Sequence, residues 1–398
     1  MKKSLLALAV LGAFAGAAQA QSSVTIYGIV DTGVVYQSKA AAGAGNTGSK
    51  FSVNSGIIQG SRIGFKGVED LGGGLNAVFD LQTGFSNDTG GLQGTDASTS
   101  SNLFRRRSVV GLAGGFGSVL LGRQTDYADT ISVYTSVNDF GGWTGNVGHN
   151  LDRLEGTRTN NSLSYTTANL NGFTGNLLYG FGETAGATSA GQAFGAGFKY
   201  DNGPLGLGVN YYQSKASGTG FSSDTSLIPS SSTAALTSVN TQAGTAGSTA
   251  YKGWTLAGSY QLGAARVYGN WSRVKQDLNT QANLTGVGVG SLSTLTNRTL
   301  ATSNKADVFE LGTTYALTPT LNLLGAVDRT NAQFDGVSGK GKLTQVSLGT
   351  DYWLSKRTDL YAFLAYTKAT NIVNPGVADS TGADGNQGAV AVGIRHKF

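Results

Sequence analysis

The chain of 398 residues has no cysteine, two histidines, four prolines and a single methionine. Without cysteine there can be no disulfide framework and no thiolate nucleophile or zinc ligand. His149 and His396 lie far apart, and neither has partners at metal-ligand spacing. No serine-nucleophile motif surrounds them and no phosphate-binding glycine loop occurs, since GLAGGFG at 111–117 reads as a turn. An enzyme is therefore not expected, nor is a metal, another cofactor or a nucleic-acid partner.

Long apolar runs are also scarce. One stands at the start, MKKSLLALAVLGAFAGAAQA, where two lysines precede a short apolar stretch that ends in Ala-Gln-Ala. This is the pattern of a secretory signal peptide over 1–20, cut before Gln21, which leaves 21–398 as one mature domain. Beyond it no stretch of about 18 or more apolar residues appears, which excludes a transmembrane helix. The formal charge is +5, of which Lys2 and Lys3 supply two.

Glycine, by contrast, is abundant, at 61 residues, and comes with 17 phenylalanines and 16 tyrosines. Glycine with aromatic, valine and threonine residues suits strands and turns. Apolar residues recur with period two. In VTIYGIVDTGVVY, Val24, Ile26, Val30 and Val34 alternate with Thr25, Tyr27 and Asp31. In SRIGFKG, Ile63 and Phe65 oppose Arg62 and Lys66. The chain closes on AVGIRHKF, where Val390, Val392, Ile394, His396 and Phe398 share a phase. A last strand ending on a bare aromatic ring needs a partner strand and an apolar surround.

Sixteen such segments follow one another, beginning with 24–36, 55–67 and 74–86 and ending with 387–398. Tight connections (GGFG, NLNG, DNGP, LGA, LTPT, LSKR) alternate with long polar ones such as 124–159, 214–250 and 276–305. Short turns at one rim and long loops at the other predict an all-β transmembrane antiparallel barrel rather than a sandwich. Closure removes the sheet edges, and Phe398 would pair next to the first strand with its ring in the interfacial girdle.

VTIYGIVDTGV, GSRIGFKGVEDLGGGLNAVFDLQTGF, VVGLAGGFGSVLLGRQ, DYWLSKRTDLYAFLAYTKA and the final VGIRHKF, in this order, resemble the general diffusion porins of beta-proteobacterial and neisserial outer membranes. The resemblance covers essentially the whole mature chain. It implies a sixteen-stranded barrel with an inward-folded third outer loop, a multi-pass outer-membrane protein, and a homotrimer. It also implies outer-membrane lipid and lipopolysaccharide as surroundings, passage of small hydrophilic solutes and ions, and recognition of the terminal strand, through Phe398, by the barrel-assembly machinery. A substrate-specific outer-membrane channel is the alternative. Tyr127, Tyr134, Phe140 and Trp143 cluster in the candidate loop and could form a track for one solute class, or pack the loop on the wall.

In such porins acidic residues of the third loop face basic residues of the wall. NDFGG at 138–142 resembles the acidic loop tip, which makes Asp139 the expected constriction carboxylate, with Asp126 and Asp129 as further candidates. Asp139 could equally cap a turn before its glycine pair. On the wall, Arg62 matches the second-strand arginine and Arg123 in LLGRQ the one ending the fifth strand. Arg153 or Arg158 supplies a third, and Lys66 shares the phase of Arg62. Arg123 shares its phase with Val119 and Leu121. Arg105, Arg106 and Arg107 cannot all point inward, because alternation turns at least one away. Opposed charges across a narrow aqueous gap set a transverse field, and the basic ladder gives the expectation of mild anion selectivity.

Overall fold

The structure is a computed structural model that describes residues 23–42, 46–92, 103–144, 158–183, 185–189, 191–215, 250–276, 303–334, 340–372, 376–377 and 385–398. The first 22 residues, Arg153 and His149 lie outside the described residues.

Among the described residues seventeen strands form one sheet. They are β1 (Ser23–Ala41), β2 (Thr47–Ser55), β3 (Arg62–Gly72), β4 (Leu75–Gly84), β5 (Arg107–Gly114), β6 (Gly117–Thr125), β7 (Arg158–Thr167), β8 (Phe173–Gly180) and β9 (Ala193–Asn202). They continue as β10 (Leu205–Lys215), β11 (Ala250–Leu262), β12 (Ala265–Gln276), β13 (Ser303–Ala316), β14 (Leu321–Phe334), β15 (Lys340–Trp353), β16 (Thr358–Thr370) and β17 (Asn386–Lys397). Each pairs antiparallel with its neighbour, and β1 closes the ring against β17 from Ile29↔Lys397 to Gln37↔Ala389.

The wall has sixteen positions, because β2 and β3 occupy one: β1 pairs with β2 through Thr32↔Ser55 and with β3 through Ile29↔Arg62. The single strand expected at 55–67 is thus two strands with a break at 56–61. Gly56 and Gly60 flank the break, and Gly56 has φ +71°, a left-handed conformation that a strand cannot continue. The first strand is longer than expected and the fourth wall position starts at Arg107 rather than Leu103.

Alternation sorts the side chains. On β16, Asp359, Tyr361, Phe363, Ala365 and Thr367 are buried while Leu360, Leu364 and Tyr366 are exposed. On β13, Glu310 is buried and Leu311, beside it, is 65% exposed. A water-soluble protein could not leave so many large apolar side chains uncovered, whereas a barrel turns them toward lipid. On that face Trp254 meets Trp271 edge-on and Trp271 stacks on Phe309. The chain end closes as expected. The Phe398 amide donates to the Gly28 carbonyl (3.1 Å) and Gly28 donates back to Phe398 (3.0 Å). Gly28 is required there, since a Cβ would lie 2.5 Å from the Phe398 ring.

Candidate functional site: the polar face and the segment that crosses it

The connection after β6 runs across the polar face of the sheet. Asp126 accepts from the Ala128 amide (2.9 Å) and so caps a short helix, Tyr127–Ile131. This helix lies over β9 and β10, where glycines leave room for large side chains. A Cβ on Gly197 would strike Tyr127, one on Gly208 Ile131, and one on Gly206 Tyr134. The Tyr127 hydroxyl donates to the Thr174 carbonyl and that of Tyr134 to Asp201. Burial pushes the Tyr127 phenol up to about 12, with the Asp201 charge adding to it, and burial followed by the Asp201 hydrogen bond raises Tyr134 as well. Asp129 is exposed and accepts from Thr125 (3.4 Å).

Further along, the segment is tied to the wall one strand at a time. Ser136 donates its amide (2.8 Å) and its hydroxyl to the buried Glu310 of β13. Asp139 lies in a second turn of helix, Val137–Phe140. Its carboxylate forms an ion pair with Arg266 of β12 (3.0 Å) and accepts from Thr314 of β13. Arg266 also donates to the Val133 carbonyl (2.7 Å) and lies over the Tyr268 ring. Phe140 packs on Phe363 of β16, and Gln345 of β15 donates to the Trp143 carbonyl. Phe140 and Trp143 are almost wholly buried, so they serve as packing here and do not form an exposed aromatic track.

Arg62 and Lys66 occupy the same face on the first strands, as their phase required. Arg62 donates to the Gly60 carbonyl (2.9 Å), and the Lys66 ammonium lies 5.4 Å from the Tyr27 ring. Tyr27 donates to Asp80 (2.5 Å), Arg107 forms an ion pair with the same carboxylate (3.0 Å), and Arg106 donates to Gln82 (2.9 Å). Arg123 is not brought to this group. In register opposite Ser108, it donates to the Arg105 carbonyl and to Asn160. Arg158 opens β7 opposite Thr125. Among the described residues, none of the cations singled out in the sequence pairs with Asp139; its partner is Arg266, which was not among them. Arg266 shares the phase of Tyr268, Asn270 and Ser272, all buried on the polar face, so the period-two rule could have found it. A cavity of about 450 Å³ adjoins this group, lined among others by Gln59, Asn138, Asp139, Arg266, Arg395 and Lys397.

The barrel is closed over sixteen positions, apolar outside and polar within. Residues 7–371 match the Gram-negative porin family. The chain belongs to that family. This porin is 34% identical to outer membrane porin protein 32 of Delftia acidovorans over 420 residues, covering both chains completely. Its fold is similar to the anion-selective porin of Comamonas acidovorans, with a TM-score of 0.69, 29% identity, and coverage of 95% of this porin and all of that chain. OmpT of Vibrio cholerae, solved in a trimer form, shares the fold at 16% identity and a TM-score of 0.64, over 95% of this porin and 99% of that chain. The porin is thus a multi-pass outer-membrane barrel that forms a channel.

Proposed function

We propose that this porin lets small hydrophilic solutes diffuse passively, with a mild preference for anions, and that 126–144 is the inward-folded third loop that narrows its lumen. The observation that carries the reading is the wiring of that segment to Glu310, Asp139's partner Arg266, and Gln345, on strands of the opposite half of the sheet from β6. Arg107 on Asp80, Arg106 on Gln82, and Arg62 and Lys66 on β3 supply the positive wall. Charged linings and pore width together select solutes. Arg158 and Asp129 are secondary members of the lining, whereas Asp126 is buried as the cap of its helix. A substrate-specific channel fits less well, because the loop aromatics are packed. The decisive experiment is recording from refolded protein in planar bilayers under a KCl gradient, with Asp139→Asn and Arg62→Gln in turn. Asp139→Asn should strengthen anion preference and Arg62→Gln weaken it; a cation-selective parent channel overturns the selectivity.

The same reading makes the protein a homotrimer in outer-membrane lipid, assembled through its terminal strand at Phe398. The trimer-form relative supports the first part. Lys252, Lys275 and Lys305, in one register row on the lipid-facing phase of β11, β12 and β13, support contact with phosphorylated outer-leaflet lipid. Lys305 also lies 4.0 Å from the Asp307 carboxylate. Native electrophoresis with and without added lipopolysaccharide tests both; a monomer in every lipid removes the trimer.

A further inference from the structure

The break at 56–61 is larger than a strand irregularity requires. On β1 only Val30 and Asp31 separate Ile29, paired with Arg62, from Thr32, paired with Ser55. Opposite them the chain spends six residues, Gly56-Ile57-Ile58-Gln59-Gly60-Ser61. The surplus does not go to the apolar side. Ile57 and Ile58 are 3% and 4% exposed and share a cluster with Phe140, Trp143, Tyr361 and Phe363. The excursion therefore bends to the polar face.

One buried side chain organises it. The Asp31 carboxylate accepts from the amides of Ile58 (2.8 Å) and Gln59 (2.7 Å) and from the Tyr361 hydroxyl (2.6 Å). The Asp31 carbonyl accepts from the Gly56 amide (2.8 Å) and from the Ser61 hydroxyl (3.1 Å). Carboxylates bonded to several backbone donors hold geometry firmly. The excursion also touches the crossing segment directly: a Cβ on Gly141 would lie 1.6 Å from the Ile58 carbonyl oxygen, so the two backbones meet. At its tip, Gln59 accepts from Arg395 (3.2 Å) and joins Asn138, Asp139 and Arg266 around the 450 Å³ cavity.

We infer that 56–61 is a second constricting element of the channel, docked onto the first at Gly141, and that Gln59 is a specificity-determining residue. Its neutral amide faces permeating ions across the cavity from the Asp139–Arg266 pair, so the sign of charge placed there sets which small ions pass. The inference rests on 126–144 lying in the lumen.

The test is the reversal potential of refolded Gln59→Glu and Gln59→Lys channels under a KCl gradient, beside Asp139→Asn. A unit charge at close range in water shifts an ion's free energy enough to change its permeability about fivefold. Gln59→Glu should lower the anion-to-cation permeability ratio and Gln59→Lys raise it, each by up to about fivefold. A structural role alone moves both variants in one direction, and that result overturns the inference. So does an unchanged potential in both while Asp139→Asn still shifts it, which leaves the loop reading standing. If Asp139→Asn is silent as well, the loop reading fails together with the inference.

Discussion

Asp139 and Arg266 form an ion pair at 3.0 Å between the crossing segment and β12, 127 residues apart in the chain. The carboxylate is nearly buried, and the guanidinium is about one-fifth exposed. Asp139 is thus held against β12, on the half of the sheet opposite β6, as one member of a neutralised pair.

Removing the cation is therefore worse than removing the anion. Arg266→Ala leaves a buried carboxylate with only neutral donors, the Thr314 hydroxyl and the Asn138 amide, at a cost on the order of 3 kcal/mol. Asp139→Asn keeps a hydrogen-bond acceptor there and should cost less than half of that. Thermal unfolding in detergent checks the order, and noisier single-channel current in Arg266→Ala would report the loosened segment.

The glycines beneath the segment are a second handle. Gly206→Val and Gly197→Val place methyl groups where the rings of Tyr134 and Tyr127 lie. Overpacking of this kind costs about 1–3 kcal/mol, and the loop can yield where the barrel cannot. Both variants should keep heat-resistant barrel mobility on gels and show altered conductance.

Closure depends on Gly28 and Phe398. Gly28→Leu collides with the Phe398 ring and with the Arg62 carbonyl oxygen, each 2.5 Å from a Cβ. Deleting Phe398 removes two backbone hydrogen bonds at the seam, worth about 0.5–1.5 kcal/mol each. Folding yield into detergent should fall in both variants, more steeply for Gly28→Leu.

Alkaline pH should act on the loop. Folding raises the Tyr127 phenol from 10.0 to about 12, so the folded chain holds that proton more tightly than the unfolded one. The associated stability is intact below pH 10 and is lost as pH rises from 10 through about 12. Tyr127→Phe should flatten that part of the stability profile, losing only the bond to Thr174. Unfolding temperatures across this range provide the measurement.

Much of the wall was legible. Period two put Arg62 and Lys66 on the polar phase, and the structure places both there. The same rule warned about Arg123, whose phase-mates Val119 and Leu121 belong to the other face. The break at 56–61 was missed because Ile57-Ile58 reads as two more strand residues, and only the pairing of β1 with both β2 and β3 reveals the surplus. Asp31 likewise read as one polar residue of an alternating strand, while its fully buried carboxylate organises the excursion.

By itself, then, the sequence determined the number of wall positions, the two faces, the rim of short turns and the aromatic terminus. These follow from local rules: side chains alternate every residue along a strand, and an apolar face must find lipid. Which cation meets Asp139, where the excursion docks and which glycines make room for the loop were decided only by the closed barrel. Closure brings strands more than a hundred residues apart to opposite sides of one narrow space, and no local periodicity encodes who faces whom across it.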